Sequence, residues 1–155
     1  MTIYADTRQK AGKHDVKHRQ IVDNGHILLS KKLDIGDYMR PDGKISVDTK
    51  QDLQEIYSNL FTDHARFLRE VRKAYRRGVT LVVLVEQDGI RSVEDVCKWD
   101  PGHGQAHGRQ LYDRMRDLYR AYGVQFAFCG KNDTGKKIIE ILEGDTYAGG
   151  QAKGQ

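Results

Sequence analysis

The run Thr-Leu-Val-Val-Leu-Val-Glu at residues 80–86 is the feature that most constrains the fold. Residues 81–85 are all Leu or Val, so a strand formed here has no polar face to offer to water. Such strands lie inside a sheet that is covered on both faces. We therefore predict a central strand over residues 80–86, with helices on both faces of its sheet and the Glu86 carboxylate at the sheet edge.

The rest of the chain alternates between strand-like and helix-like patterns. Further strands are predicted at residues 2–6, 26–30, 38–40, 45–50 and 124–129. Helices are predicted at residues 16–24, 52–60, 62–77, 92–98, 109–122 and 134–143. Early strands followed by alternating helices and strands are typical of a mixed α/β sheet. We predict one domain over residues 1–143 and a flexible tail over residues 144–155.

A β-hairpin is predicted around Pro41-Asp42-Gly43-Lys44, because Pro presets a turn conformation and Gly accepts a positive φ. Alternation along its second strand, residues 45–50, places Asp48 and Lys50 on one face, and Asp37 at the start of its first strand reaches that face. A Mg²⁺-dependent phosphodiesterase uses two carboxylates to hold the cation and a lysine to offset negative charge. The alternative is an ordinary solvated strand face.

The chain is mildly basic, with 26 Lys and Arg against 22 Asp and Glu and a net charge of +4. This balance favours an anionic partner such as nucleic acid. Two predicted helices hold many of the cations: Arg66, Arg69, Arg72, Lys73, Arg76 and Arg77 in one, and Arg109, Arg114, Arg116 and Arg120 in the other. Phosphate contact and a solvated helix face both fit this pattern, which leaves the two alternatives open.

Several classes of protein are disfavoured by the sequence. No apolar run has the length of a membrane span, and the first residues do not form a signal peptide. Cys97 and Cys129 are the only two cysteines and lie far apart in sequence, so neither a disulfide framework nor a zinc ribbon is implied. We therefore expect a cytoplasmic protein without a membrane partner.

Four stretches carry a resemblance to a known family. They are an opening strand that ends in Asp-x-Arg (residues 4–8), a Gly-Asp-Tyr turn (residues 33–38), a strand with an acidic residue and Lys (residues 46–53), and an apolar strand that ends in Glu (residues 80–86). With the order of elements over residues 2–143, they resemble the nuclease domain of the XPF/Mus-type structure-specific endonucleases, within the PD-(D/E)XK superfamily. The resemblance implies a restriction-endonuclease-like mixed β-sheet flanked by helices on both faces.

The resemblance also implies an activity, namely metal-dependent hydrolysis of phosphodiester bonds in branched, flap or fork DNA, in DNA repair or recombination. Asp37 and Asp48 would hold Mg²⁺ or Mn²⁺, and Lys50 would position the attacking water or stabilise the pentavalent state. Asp6 would be an outer carboxylate, with a strand-end cap as the alternative. Glu86 would be another outer ligand, with an ion pair to Arg8 or a helix arginine as the alternative.

The resemblance implies that Arg8 contacts phosphate or orients Asp6. The two basic helices supply the other predicted contacts with nucleic acid, from Arg66, Arg69, Lys73 and Arg109. A homodimer and a replication or recombination partner protein are also implied, and the small size suits a phage or bacterial protein in the bacterial or phage-infected host cytosol. The helix-hairpin-helix module that often follows this domain is not found in the sequence, so we expect DNA binding from the domain itself, a dimer or a partner.

The sequence departs from the family pattern at two points. Asp48-Thr49 stands where the family has Glu-Arg, which shortens the reach of the carboxylate and removes a cation. The next acidic residue, Asp52, follows Lys50 by only two residues, and a helix N-cap fits it better than a ligand role. The rival to a nuclease is therefore an inactive nucleic-acid-binding module, or a scaffold of a nucleoprotein complex.

Histidines give weaker signals. Cys97, His103 and His107 form an incomplete zinc set in glycine-rich surroundings, so a flexible, DNA-facing loop over residues 99–108 is the favoured interpretation. His14 and His18 are expected at the surface.

Overall fold

The computed structural model describes residues 1–102, 107–144 and 146–147. Its strands are β1 (Thr2–Asp6), β2 (Ile27–Lys31), β3 (Tyr38–Met39), β4 (Ile45–Lys50), β5 (Thr80–Glu86) and β6 (Gln125–Cys129). Its helices are α1 (Asp15–Asp23), α2 (Leu53–Phe61), α3 (His64–Arg77), α4 (Val93–Val96), α5 (Gly108–Tyr122) and α6 (Thr134–Glu143). Each element lies within two residues of its predicted position, so the order inferred from the sequence is confirmed.

The six strands form one mixed sheet in the order β2-β1-β3-β4-β5-β6. Strands β4, β5 and β6 run parallel, as do β1 and β2, whereas β3 pairs antiparallel with both β1 and β4. The predicted hairpin is thus present, with the turn at residues 41–44 between β3 and β4. The sheet confirms the mixed α/β class.

Two apolar layers cover the sheet, one on each face. On one face, residues of α2, α3, α4 and α5 pack against Leu81, Val83 and Val85 of β5. On the other face, α1 and α6 pack against Val82 and Leu84. All five apolar residues of β5 are at most 2% exposed, which confirms the central, doubly covered strand.

Helix α1 is locked to α6 by a close approach at Gly135. A Cβ at this position would lie 2.5 Å from the Lys17 carbonyl oxygen, so no side chain fits between the two helices. The Gly135 N–H donates to Gln20 Oε1 at 2.8 Å. This contact fixes α1, and with it the loop before α1 that borders the site described below.

Asp52 caps α2, because its Oδ1 accepts the Glu55 N–H at 2.8 Å, and this confirms the N-cap assignment. Of the predicted tail, residues 144, 146 and 147 are described, and Tyr147 packs against the α1–α6 layer. Residues 145 and 148–155 lie outside the described part, as do residues 103–106 of the predicted mobile loop, which include His103. Within the described residues, no helix is long and apolar enough to cross a membrane.

Candidate active site

The site is built on a tight turn at Gly36, between β2 and β3. Gly36 has a φ of +73°, and a Cβ there would lie 2.2 Å from Ser46 Oγ and 3.0 Å from the Val47 carbonyl oxygen. Only glycine meets both demands. The Gly36 N–H donates to Glu70 Oε2 at 3.2 Å, so a carboxylate of α3 ties the turn to that helix. The turn brings the next residue, Asp37, against β4.

Asp37 is held on both its backbone and its side chain. Its N–H donates to the Val47 carbonyl at 2.7 Å, and its carbonyl accepts the Asp6 N–H at 2.8 Å and Gln9 Nε2 at 3.1 Å. Its Oδ2 accepts both the N–H of Thr49 at 2.9 Å and the Thr49 hydroxyl at 3.0 Å. These bonds fix the orientation of the Asp37 carboxylate, and both side-chain bonds to Thr49 are made by Oδ2 rather than Oδ1.

Asp48 and Lys50 lie beside Asp37 on the same face of β4. The Asp48 carboxyl is within hydrogen-bonding distance of the Asp37 carboxyl, and its Oδ2 lies 3.2 Å from Lys50 Nζ. Asp48 is 8% exposed. The structure therefore brings together the three side chains that the sequence predicts to share a face.

Burial and charge set the protonation of this cluster. Burial raises the pKa of Asp48 well above its ordinary value, Lys50 opposes this, and the Asp37 and Glu70 carboxylates reinforce it. Burial disfavours the charge on Lys50, but Asp48, Glu55 and Asp37 outweigh that effect and raise the pKa of the ammonium group. Lys50 therefore stays charged, and the nearby carboxylates disfavour the charged form of Asp48.

A hard divalent cation fits this donor set. Two adjacent carboxylates that repel one another are stabilised by a positive charge between them, and all the donors are oxygen. Within the described residues no group of three or more His, Cys, Asp or Glu side chains forms a metal-binding cluster. Mg²⁺ commonly uses one or two protein carboxylates and completes its shell with water and substrate phosphate, so the Asp37–Asp48 pair meets the usual requirement.

The cluster forms the floor of a cleft of about 890 Å³. Cations of α3 line this cleft: Arg66, Arg69, Arg72, Lys73 and Arg76. Arg8, Lys10 and Lys13, from the segment after β1, line it as well. A cleft with so many cations around a carboxylate cluster suits a polyanion as its ligand.

Asp6 also lines the cleft, but its oxygens are occupied. Oδ1 accepts the Leu33 N–H at 3.0 Å, and Oδ2 pairs with Arg8 Nε at 3.1 Å. Arg8 additionally donates to the Leu33 carbonyl. Asp6 and Arg8 thus brace the chain before the Gly36 turn, and Arg8 remains 59% exposed at the cleft wall.

The structure does not bring Glu86 to the cluster. Glu86 follows Val85, the partner of Lys50, and alternation turns its side chain to the opposite face of the sheet. There Glu86 accepts the Thr134 hydroxyl at 2.6 Å and pairs with Lys17 Nζ at 3.5 Å. The ion pair expected as the alternative therefore exists, but its partner is a lysine of α1 rather than an arginine.

The remaining predicted contacts divide by location. Arg66, Arg69 and Lys73 line the cleft, whereas Arg109 lies at the start of α5, outside the cleft lining, and pairs with Asp113 at 3.2 Å. Arg109 does not belong to the same surface as the other four predicted cations.

A polar network beside the site has no counterpart in the sequence-based prediction. His18 Nε2 lies 2.8 Å from the Tyr38 hydroxyl and 3.1 Å from Gln9 Oε1, and Gln9 in turn donates to the Asp37 carbonyl. His14 stacks on His18 with ring centroids 6.0 Å apart, and His14 lines the cleft. Both histidines are half-buried rather than on the surface as expected, and burial, followed by Lys17, lowers the pKa of each.

Comparison with solved structures identifies the fold. XPF from Aeropyrum pernix is similar with a TM-score of 0.69 and 22% identity, over 92% of this chain and 63% of that chain. XPF from Aeropyrum pernix in a complex with DNA is similar with a TM-score of 0.67 and 21% identity, over the same shares, 92% and 63%. No family model and no curated protein matches the sequence. The chain therefore corresponds to somewhat less than two thirds of these XPF chains, and it has the XPF-type nuclease-domain fold that the sequence resemblance predicts.

Proposed function

We propose that this chain is a divalent-metal-dependent DNA endonuclease that cuts branched, flap or fork DNA. The observation that carries the proposal is the cluster of Asp37, Asp48 and Lys50 on the floor of a cleft with basic walls. The likeness to a nuclease fold, one example of which is bound to DNA, supports it.

Asp37 and Asp48 are the residues that would hold Mg²⁺ or Mn²⁺. When bound, the ion supplies Lewis-acid polarisation of the phosphate and lowers the pKa of water. Thr49 engages Oδ2 of Asp37, and we assign Oδ1 to the ion. Lys50, with an ammonium 3.2 Å from Asp48, offsets negative charge that develops on the phosphate or orients the attacking water.

The cleft walls supply the affinity for DNA. Arg66, Arg69 and Lys73 on α3 and Arg8 after β1 all line the cleft, so cations from two parts of the chain are available to the phosphates of a bound strand. Asp6 is proposed to act on the metal only from outside, because both of its oxygens already accept hydrogen bonds. The proposal implies a role in DNA repair or recombination in a bacterial or phage-infected cytosol, with a homodimer or a partner protein to add DNA-binding surface.

A second candidate is an inactive nucleic-acid-binding module or scaffold. The observation that favours it is the pair Asp48-Thr49, where the family has Glu-Arg. The shorter carboxylate and the missing cation weaken a metal site, whereas the basic walls would serve binding alone.

Cleavage of a panel of labelled DNAs separates the two candidates. Linear duplex, single strand, flap, fork and four-way junction are incubated with Mg²⁺, Mn²⁺ or EDTA. Asp48→Asn is the test variant, and Asp23→Asn, an exposed carboxylate on α1, is the matched control. Metal-dependent cutting by the wild type and the control, with loss in Asp48→Asn, supports the nuclease. Salt-sensitive binding without cutting in any metal supports the module.

A further inference from the structure

Two large apolar side chains are exposed on the edge strand β2, on the face of the sheet that carries the candidate active site. Ile27 is 58% exposed and Leu29 is 47% exposed. The register aligns Leu29 with Tyr4 and, through β3, with Ser46 of β4. Paired residues point to the same side of a sheet, so both side chains share the face of Asp48.

The described helices do not cover this part of the sheet. The helices α2, α3 and α5 pack on that face over β4, β5 and β6, and leave it open at β1 and β2. A single exposed apolar residue is ordinary, but neighbours at alternate positions of one strand beside a tyrosine form a continuous patch. We call the patch formed by Tyr4, Ile27, Leu29 and Lys31 the open face.

Cations border the open face. Lys31 Nζ lies 4.6 Å from the centre of the Tyr4 ring, and Lys32 next to it is exposed. Arg8 extends into solvent at the end of the same surface. An apolar and aromatic centre with a basic border complements a ligand that has flat apolar rings and a negatively charged backbone.

The open face is continuous with the catalytic cleft. Tyr4 and Asp6 are alternate residues of β1 and lie on the same face, and Asp6 and Arg8 line the cleft. A strand of nucleic acid lying on Tyr4 would therefore lead towards Asp37 and Asp48.

We propose that the open face binds the unpaired DNA strand of the substrate, with bases against Tyr4, Ile27 and Leu29 and phosphates near Lys31, Lys32 and Arg8. Duplex DNA keeps its base faces stacked inside the helix, so only an unpaired strand can use this surface. The inference rests on the proposed function and specifies which part of a flap or fork this chain recognises.

The test is fluorescence anisotropy in EDTA, with a labelled 20-nucleotide thymidine oligomer and a labelled duplex of the same length, at several salt concentrations. The test variant is Ile27→Thr/Leu29→Thr, because Thr suits a strand and removes apolar surface without changing charge. The control is Val22→Thr, which changes a side chain of similar exposure, 54%, on α1 at the opposite face. Thermal melting checks that both variants are folded.

We expect the double variant to bind the single strand about tenfold or more weakly at every salt concentration, with an unchanged salt slope, because the lost contacts are not ionic. Duplex binding and the control should match the wild type. Unchanged single-strand affinity, or an equal loss for duplex, overturns the proposal. If the wild type is a dimer, the double variant is a monomer and the two bind the single strand equally well, a second copy of the chain covers the open face instead. Cleavage of the DNA panel is scored separately. Cutting by the wild type, beside an unchanged single-strand affinity of the double variant, leaves the proposed function intact and removes this proposal alone. Absence of cutting by the wild type, beside a loss of single-strand affinity in the double variant, removes the nuclease and leaves a face that binds single strands.

Discussion

Thr49 holds Asp37 with two hydrogen bonds, and the removal of one of them tests whether the site depends on that constraint. Thr49→Val keeps the shape and the strand preference of the side chain but removes the hydroxyl, which lies 3.0 Å from Asp37 Oδ2. The backbone N–H at 2.9 Å remains. Hydrogen bonds to charged groups contribute about 1.5–3 kcal/mol, which corresponds to about 10- to 150-fold in an equilibrium or rate.

We expect Thr49→Val to lower Mn²⁺ affinity, measured by calorimetry, and the single-turnover cleavage rate, while DNA affinity in EDTA stays unchanged. Thr49→Ser restores the hydroxyl and should return both quantities to near the wild-type value. If the Thr49→Val and Thr49→Ser variants behave alike, the hydroxyl has no role in the site. If Thr49→Val lowers thermal stability as strongly as it lowers metal affinity, the hydroxyl serves only the fold.

Three further predictions follow from the geometry. The pKa of Asp48 is raised, so protons compete with a metal for its carboxylate at pH values well above 3.8. Mn²⁺ affinity should therefore increase as the pH is raised through that range. Calorimetry at a series of pH values checks this, and an affinity that does not change with pH contradicts it. Gly36→Ala should be destabilising by several kcal/mol, or prevent folding, because the new Cβ meets Ser46 Oγ at 2.2 Å at a positive φ; a wild-type urea midpoint would contradict the packing described. Burial, and then Lys17, lowers the pKa of His18 in the folded protein, so folding favours its neutral form. The stability of the fold should therefore decrease as the pH drops below 6.5. His18→Gln should reduce this pH dependence in thermal melts, and an unaltered dependence would mean that another group causes it.

The order of helices and strands follows from patterns that are local in the sequence and do not depend on tertiary contacts. The apolar run at residues 80–86 requires two covered faces, and Asp52 and Gly78 mark helix ends by chemistry that is local in sequence. The alternation in β4 likewise puts Asp48 and Lys50 on one face whatever the rest of the sheet does. Such features are predictable from one sequence.

The contacts around the site depend on pairing that no local pattern encodes. Glu86 ends β5, which lies beside β4. Lys50 pairs with Val85, so the side chain of Glu86, one residue further along, lies on the opposite face of the sheet. This follows only from the register between the two strands, which the sequence does not give. The Gln9–His18–Tyr38 network joins residues from a loop, a helix and a strand, and the bond from Gly36 to Glu70 spans a turn and α3. These contacts arise from the folded sheet, so the sequence could not place them.

Single-turnover cleavage of a fork or flap, measured against Mg²⁺ concentration, tests whether Asp37, Asp48 and Lys50 form the site of a metal-dependent phosphodiesterase. For the wild type we expect a rate that rises with Mg²⁺ and saturates. For Asp48→Asn we expect a rate at least about 10³-fold lower, since a metal ligand is worth several kcal/mol, with DNA affinity in EDTA unchanged. Cleavage by Asp48→Asn at the wild-type rate, or a wild-type rate that EDTA does not change, would show that this cluster is not a metal-dependent nuclease site.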